Sequence, residues 1–329
     1  RVLSDKKVVA KNKKLLKAQM QRIMGTKVTV VDNADWLLKV NLVDFLRDIG
    51  KYFTINELIK RDIIRRRIED PNDSISYTEF AYSLLQGYDY LVLNKKYGVD
   101  LQIGGTDQWT NILSGVELNR RKEGKEVFAI TCPLVTDSSG KKFGKSEGNA
   151  VWLDAGKTSP FQFYQFWLNQ PDDMVGKYLK FYTFMSVFEI DTMMELHERN
   201  PGRREAQKML ARLVTEIVHG TESATRAVTA SEAVYGSAPL SDLSATDLVM
   251  IKSEVPSAQV TLDSSIVDAL LASELSKSKS DAKRLIESKA VSINGETVES
   301  IEDTLAPEHF TGGLTILRRG KQTALLSLI

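Results

Sequence analysis

The segment LQIGGTDQW, Leu101–Trp109, joins a strand-like run to a helical pattern. The runs Val99–Ile103 and Val127–Cys132 are short and apolar, as in buried strands, and the helical pattern of Asp107–Lys122 separates them. A strand, a helix and a second strand within about thirty residues are typical of a βαβ unit, which predicts a parallel sheet. Ligands of open α/β sheets bind at the carboxyl ends of the strands, where LQIGGTDQW lies.

The residue types of this turn suit a nucleoside ligand. Gly104 and Gly105 carry no side chain, so a ligand can approach the backbone closely. Asp107 can accept hydrogen bonds from ribose hydroxyls, and Gln108 can orient a carbonyl or an amine. A pair of glycines alone is a weak signal, but the added Asp and Gln at a strand-to-helix junction favour a binding site.

A polar stripe follows one face of the preceding predicted helix, Tyr77–Lys96. Tyr82, Gln86 and Asp89 are spaced four and three residues apart, so they share a face of a helix that is otherwise rich in apolar residues. Buried polar groups are costly without partners, and a polar ligand would supply them. A water-exposed edge with three polar residues is the equally weighted alternative.

A glycine-rich segment, GKKFGKSEGNA, extends from Gly140 to Ala150. A phosphate-binding P-loop needs a glycine five places before Gly144, and Ser139 occupies that place, so a P-loop ATPase is disfavoured. The pair Lys142 and Lys145 would instead bring two ammonium groups to the charge that develops on a polyphosphate. A surface loop with solvated lysines is the alternative.

Composition excludes several classes of site. The 329 residues carry 44 Lys and Arg against 43 Asp and Glu, so contacts with nucleic acid must come from local clusters. One cysteine and three histidines make a zinc site or a Cys-His nucleophile unfavourable, and we predict no metal site. The sequence contains neither a signal peptide nor an apolar stretch long enough to cross a bilayer, so no membrane partner is expected.

Four segments are predicted along the chain. Residues 1–159 form an α/β domain, 160–236 a helical domain, 237–262 a linker with weak periodicity, and 263–329 a small α+β domain. Within the first segment, Val28–Val31 is strand-like and helices are expected at Leu42–Phe53 and Ile55–Glu69. In the last, Asn294-Gly295 and Arg319-Gly320 are hairpin turns.

The sequence resembles bacterial-type tyrosyl-tRNA synthetases, which are class I aminoacyl-tRNA synthetases. The motifs YSLLQGYD, LQIGGTDQW, KFGKS and TSPFQFYQFW carry the resemblance, and it extends over essentially the whole chain. It implies a partial Rossmann-type parallel-sheet catalytic domain, a helical anticodon-side domain and an RNA-binding domain of the ribosomal-protein type. The implied reaction joins tyrosine to tRNA(Tyr) through tyrosyl-adenylate. ATP would enter with Mg²⁺ as a substrate complex, and no tightly bound cofactor is expected.

The resemblance also assigns residues to roles. The catalytic loop is Lys142-Phe143-Gly144-Lys145-Ser146, with Lys142, Lys145 and Ser146 as catalytic residues. Tyrosine would contact Tyr82, Gln86, Asp89 and Gln108, with the phenolic hydroxyl on Asp89. ATP would contact Gln102, Gly104, Gly105, Asp107, Lys142 and Lys145. The predicted RNA-binding residues are Arg203, Arg204, Lys279, Lys283 and Arg284. The charge pattern of the last domain places Lys277, Lys279, Lys283, Arg284 and Lys289 on or beside its helices and Arg318, Arg319 and Lys321 at its last turn, which could form a basic patch for phosphates.

The family's histidine signature of the HIGH type is not found after Arg1, so we interpret the chain as incomplete at its N-terminus. A non-catalytic RNA-binding protein on a synthetase scaffold is one alternative, and a tryptophanyl-tRNA synthetase is the other. The family's habit and four aromatics, Phe45, Tyr52, Phe53 and Tyr77, predict a homodimer. A cytoplasmic location is expected, with a mitochondrion as the alternative.

Overall fold

A computed structural model of the chain describes residues 5–138, 140 and 151–329, apart from the side chains of residues 62 and 63. The described residues between 28 and 140 form one compact unit, and those in 5–27 and 151–329 form a second. The elements up to residue 140 are α1 (Lys6–Met24), α2 (Ala34–Leu37), α3 (Leu42–Asp48), α4 (Ile55–Ile59), α5 (Asp62–Glu69), α6 (Tyr77–Tyr97), β1 (Leu101–Gly105), α7 (Trp109–Glu123) and β2 (Phe128–Cys132).

The predicted βαβ unit is confirmed. Strands β1 and β2 pair in parallel, with Leu101 opposite Phe128 and Gly105 opposite Cys132. Helix α6 begins at a capping box in which Ser76 and Glu79 satisfy each other's backbone N–H groups, and it ends at Gly98 in the left-handed region. Local capping chemistry therefore sets both ends of the helix that precedes the sheet.

Helices α6 and α7 approach each other closely because small residues line their contact. A Cβ atom added at Gly115 would lie 2.6 Å from Tyr90 Cβ. The Tyr90 side chain is fully buried, and its hydroxyl donates a 2.8 Å hydrogen bond to the carbonyl oxygen of Phe128 on β2. One aromatic residue thus fastens α6 to α7 and to the sheet.

Three expectations in this unit were wrong in whole or in part. Val28–Val31 has no regular structure, and the expected helix Ile55–Glu69 is divided into α4 and α5. Arg61 lies at the break with an extended backbone, and its guanidinium donates hydrogen bonds to Ser114 Oγ at 2.7 Å and to the Thr110 carbonyl. A tertiary contact with α7 therefore overrides the local helical preference. The expected helix Leu42–Phe53 similarly ends at Asp48 and continues as a 3₁₀ turn.

The second unit begins its main body with a helical layer. Its helices are α8 (Pro160–Leu168), α9 (Asp172–Tyr182), α10 (Val187–Arg199), α11 (Glu205–His219) and α12 (Thr221–Tyr235). Ser159 caps α8 and Pro160 occupies its first turn, a Ser-Pro pattern typical of a helix N-terminus. Phe163, Tyr164 and Trp167 of α8 are buried, and they fill the interior of this layer together with residues of α9 and α11.

The segment predicted to be a linker, 237–262, is instead ordered structure. It contains α13 (Ala245–Glu254) and β3 (Ser257–Val260), and β3 pairs in parallel with a strand near the chain's end. Ile251 and Val255 are buried in a cluster that joins Phe161 and Val234 of the helical layer to Ile316 and Leu325 of the sheet. The apolar residues of 237–262 are too few for a strong periodic pattern, but distant segments bury them.

The final part is the expected α+β domain. It contains α14 (Ile266–Ala272), α15 (Lys279–Glu287), β4 (Val291–Ile293), β5 (Glu296–Thr297), β6 (Leu314–Arg319) and β7 (Gln322–Leu328). The strand order is β3-β7-β6-β4-β5. Asn294 and Gly295 both have positive φ, which suits the tight turn between β4 and β5.

We expect the substitution Gly115→Ala to lower the free energy of unfolding by about 1–3 kcal/mol, because the added methyl group overpacks the contact with Tyr90. Gly50→Ala is the matched control in the same unit, since its added Cβ would lie 3.5 Å from Leu46 Cδ2 in ordinary contact. Urea unfolding followed by tryptophan fluorescence measures both. Equal midpoints for the two variants would contradict the assigned helix contact.

Candidate active site

The carboxyl edge of β1 folds back on its own glycines. An added Cβ at Gly105 would lie 2.7 Å from Asp107 Oδ1, and one at Gly104 would lie 3.0 Å from Gln108 Cβ. A 3₁₀ turn, Thr106–Gln108, connects the strand to α7. The glycines therefore leave little room for a larger residue beside the turn, in addition to permitting a close approach by a ligand. The structure brings Gln102, Gly104, Gly105, Asp107 and Gln108 together on this edge, as the sequence predicts.

The carboxylate of Asp89 has two donors that the sequence did not identify. Trp36 Nε1 donates to Asp89 Oδ1 at 2.7 Å, and Asn33 Nδ2 donates to Asp89 Oδ2 at 3.0 Å. Trp36 is buried, so its indole N–H needs an acceptor within the protein. Asn33 is the residue before α2 and Trp36 lies within that short helix, and no pattern in the sequence indicated this pair.

These donors orient the Asp89 carboxylate without filling its capacity. A carboxylate has about four lone-pair sites, and two are used here, so both oxygens keep room for a ligand hydroxyl. Asp89 is half-buried, as is Gln86, whereas Tyr82 is exposed. The polar stripe therefore extends from exposed Tyr82 to half-buried Asp89. Of its three residues, only Asp89 has a side-chain hydrogen bond among those described for the structure.

Gln102 has an unusual environment. Its amide oxygen Oε1 is buried and has no hydrogen-bond partner among the described residues. An unpaired buried acceptor costs about 1–3 kcal/mol, which a donor from a ligand would offset. Gln108 Oε1, in contrast, accepts a 3.3 Å hydrogen bond from Asn111 Nδ2. Gln102 is thus the residue at this edge with the clearest need for an external donor.

The predicted catalytic residues Lys142, Lys145 and Ser146 lie outside the described residues, so their positions stay predictions. Within the described parts of the chain, no group of three or more His, Cys, Asp or Glu side chains is placed to hold a metal ion. No helix there is both long enough and apolar enough to cross a membrane.

A cavity of about 350 Å³ lies between α4 and α7, and none of the predicted site residues lines it. Arg121 pairs with Glu57 at 2.8 Å across it, and this hydrogen bond lowers the pKa of Glu57 to about 2. Burial lowers the pKa of the Arg61 guanidinium from its ordinary value. The polar groups of this cavity thus largely satisfy one another, whereas Gln102 on β1 has a buried acceptor without a partner among the described residues, so the edge of β1 is the stronger candidate site.

The predicted RNA-binding cations lie in the second unit. Arg203 and Lys283 are exposed, whereas Arg204 is half-buried and donates a 2.6 Å hydrogen bond to the carbonyl of Leu168 at the end of α8. Lys279 pairs with Asp268 and Arg284 with Asp281, each at 2.8 Å on the surface. Exposed pairs of this kind are weak, so both cations remain accessible to phosphates.

Family models and named relatives identify the same family for this chain. A family model described as class I tRNA synthetases (W and Y) matches residues 1–236, and one described as the tyrosine–tRNA ligase SYY-like C-terminal domain matches residues 247–326. Tyrosine–tRNA ligase 1 of Enterococcus faecalis is 44% identical over 335 residues, which cover all of this chain and 79% of that protein. The tyrosine–tRNA ligase of Streptococcus thermophilus is 44% identical over 330 residues, with 98% and 78% covered.

Solved structures agree with these matches. A C-terminally truncated mitochondrial tyrosyl-tRNA synthetase from Aspergillus nidulans aligns with a TM-score of 0.57 and 32% identity, over 69% of this chain and 68% of that one. Its counterpart from Coccidioides posadasii aligns with a TM-score of 0.51 and 32% identity, over 59% and 56%. The C-terminal match and the named relatives separate this chain from tryptophan enzymes. The chain belongs to the tyrosyl-tRNA synthetase family of class I aminoacyl-tRNA synthetases.

Proposed function

We propose that the chain works as a tyrosine–tRNA ligase. The observation that carries this proposal is the Asp89 carboxylate, held by Trp36 and Asn33 on α6. This helix packs against α7 and is hydrogen-bonded through Tyr90 to β2, the neighbour of the strand that leads into the Gly-Gly-Thr-Asp-Gln turn. A fixed acceptor for a phenolic hydroxyl and a turn suited to a nucleoside are the two recognition elements that tyrosine activation requires. The family's named members support the same reaction.

The reaction has two steps. The tyrosine carboxylate attacks the α-phosphorus of ATP, the bond to the bridging oxygen breaks, and pyrophosphate leaves. A hydroxyl of the terminal ribose of tRNA(Tyr) then attacks the carbonyl carbon of tyrosyl-adenylate, and AMP leaves. No covalent enzyme intermediate is formed, so catalysis depends on positioning and on stabilising the charge of the leaving group. Mg²⁺ enters with the phosphates of ATP and needs no cage of protein ligands.

Each group of site residues has a part in this scheme. Tyr82, Gln86 and Gln108 hold the amino-acid end of tyrosine, and Asp89 accepts its phenolic hydroxyl. Gln102, with its unpaired oxygen, lines the ribose together with Gly104, Gly105 and Asp107. Lys142 and Lys145 meet the charge on the departing pyrophosphate, and Ser146 completes their loop.

We further propose a homodimer, but on a surface different from the expected one. Phe45, Tyr52 and Phe53 are partly buried against Ile49, Leu91 and Leu118, so much of their surface is used within the subunit, and of the four aromatics only Tyr77 is exposed. An apolar strip lies instead on α3, α4 and the turn before α3. Its exposed members are Leu38, Leu42, Val43, Leu46, Ile55 and Ile59. Exposed apolar strips of this kind favour a protein partner, and a second copy is the one that the family's dimeric habit supports.

RNA binding is assigned to the second unit. A groove of about 550 Å³ there is lined by Arg203, Arg204 and Lys208 beside Tyr235, with Lys321 from the β6–β7 turn. A cationic groove with an aromatic side chain suits an RNA backbone with an unstacked base.

We propose a bacterial cytoplasm as the compartment because the named relatives are bacterial, and a mitochondrion is the alternative because both solved neighbours are mitochondrial enzymes.

In the natural full-length protein, Asp89→Asn is expected to narrow the preference for tyrosine over phenylalanine. A site built to bond a hydroxyl rejects the analogue that lacks it, and tyrosyl-tRNA synthetases are themselves the standard example of this rule. Losing a hydrogen bond to a charged acceptor costs about 1.5–3 kcal/mol. The kcat/KM for tyrosine divided by the kcat/KM for phenylalanine should therefore fall roughly tenfold to hundredfold. Pyrophosphate exchange with each amino acid measures it. Asp35→Asn, at an exposed acid of α2, is the control, and an unchanged ratio in Asp89→Asn would remove Asp89 from the pocket.

Replacing Lys142 or Lys145 by Ala should slow adenylate formation far more than it weakens tyrosine binding, because both groups act on charge that develops in the transition state. Removing one such donor costs about 3 kcal/mol, so we expect a roughly hundredfold slower step. Pre-steady-state activation measures the rate, and equilibrium dialysis measures tyrosine affinity. Lys141→Ala serves as the neighbouring control. Normal activation rates in both variants would refute the assignment of this loop.

The dimer surface is tested by Val43→Asp. Val43 is 70% exposed near the start of α3, and a carboxylate in the strip would be buried without a partner on dimerisation. Light scattering at micromolar concentration should give a dimer for the wild type and a monomer for this variant. Val187→Asp is the matched control, because that valine is 60% exposed at the start of α10 in the other unit. A monomeric wild type would disprove the proposed dimer.

A further inference from the structure

Two neighbouring arginines at the end of β6 have different partners. Arg318 donates hydrogen bonds from one guanidinium nitrogen to the carbonyl oxygens of Val234 at 2.9 Å and Ala233 at 3.4 Å. Both acceptors belong to the last turn of α12 in the helical layer. Arg319 donates to the Leu275 carbonyl at 2.7 Å, within the α+β domain. Both guanidinium groups of the expected phosphate-binding patch at the β6–β7 turn thus already have acceptors within the protein, and the patch itself stays a prediction.

The contact made by Arg318 suits its chemistry. The last four carbonyls of a helix lack intrahelical donors, and a cation near them is favoured by the helix dipole. Arg318 is half-buried, its Nε is buried without a partner among the described residues, and burial lowers the pKa of the guanidinium from its ordinary value. A buried guanidinium is costly unless its hydrogen bonds are made, so this contact favours one geometry of the junction.

The contact also joins two parts that together form the RNA groove. Arg203, Arg204 and Lys208 of the helical layer line this groove of about 550 Å³, and Lys321, three residues after Arg318, lines it from the sheet. Whether these cations form one surface depends on how the α+β domain is held against α12. The shared apolar cluster supplies contact area there, but apolar contacts are not directional.

We propose that Arg318 is a positioning residue that fastens the α+β domain to the end of α12 and thereby aligns the cations of the RNA groove. It acts through backbone carbonyls and does not contact RNA itself. The expected effect on tRNA charging rests on the proposed function. The contact between Arg318 and α12 does not, because it lies within the protein itself.

Two experiments test it on the natural full-length protein. The first is hydrogen–deuterium exchange of Arg318→Ala, Arg318→Lys and the matched control Arg319→Ala. In both Arg318 variants the amides of residues 236–243, which follow α12, should exchange at least about tenfold faster, with the rest of the chain unchanged. Arg319→Ala should leave 236–243 at the wild-type rate. Far-UV circular dichroism checks that each variant is folded, and Arg318→Lys keeps most of the side-chain volume should the alanine variant fail to fold.

The second experiment measures tRNA charging and its salt dependence. For Arg318→Ala the KM for tRNA should rise about tenfold, with tyrosine-dependent pyrophosphate exchange and the salt slope of tRNA binding unchanged. Arg318→Lys should behave like the alanine variant, because a single ammonium group cannot reproduce the geometry of the guanidinium fork.

Three results would overturn the proposal. One is wild-type exchange at 236–243 in both Arg318 variants, and another is faster exchange spread uniformly over the chain. The third is a combination of two results: Arg318→Lys has a normal KM for tRNA, and Arg318→Ala lowers the salt slope of tRNA binding by about 1. That combination identifies a direct contact between Arg318 and a phosphate. If the wild type charges no tRNA, the proposed function fails, and the exchange experiment still decides the role of Arg318.

Discussion

The contact between Tyr90 and Gly115 is the constraint on which the candidate site depends. It sets how closely α6 approaches α7, and the Tyr90 hydroxyl fixes both helices to β2. Asp89 precedes Tyr90 on α6, and the turn that carries Asp107 and Gln108 leads directly into α7. A displaced α6 would therefore move the Asp89 carboxylate relative to the carboxyl edge of β1, so the packing of the two helices sets the geometry of the candidate site.

Sequence reasoning succeeded where the deciding interactions are local. The capping box at Ser76 and Glu79, the proline start of α8 and the Asn294-Gly295 turn all act within a few residues, and each fixed an element boundary to within one or two positions. The βαβ unit was also predictable, because two short strands around one helix have few other arrangements. The family motifs then predicted a ligand site at one edge of the sheet, and that site stays a prediction.

Sequence reasoning failed where partners are distant along the chain. Ser257 of strand β3 pairs with Leu325 of β7. Because the partner strand lies far along the chain, the residues near Ser257 carry no local signal of a strand. The donors to Asp89 are 53 and 56 residues away from it. The aromatics taken for a dimer surface show a related limit, because residue type does not distinguish a core position such as Phe45 from an exposed one such as Tyr77.

The basic residues reveal why a count of charges overestimates an RNA-binding surface. Arg204, Arg318 and Arg319 all direct a guanidinium to a backbone carbonyl, and Arg121 does the same at Tyr52. The guanidinium is weakly hydrated and geometrically rigid, so it tolerates partial burial at helix ends better than an ammonium group does. Lysines such as Lys283 and Lys321 remain exposed. In this fold several arginines hold elements in place through backbone carbonyls, whereas Arg203, Arg284 and the exposed lysines keep their charge on the surface.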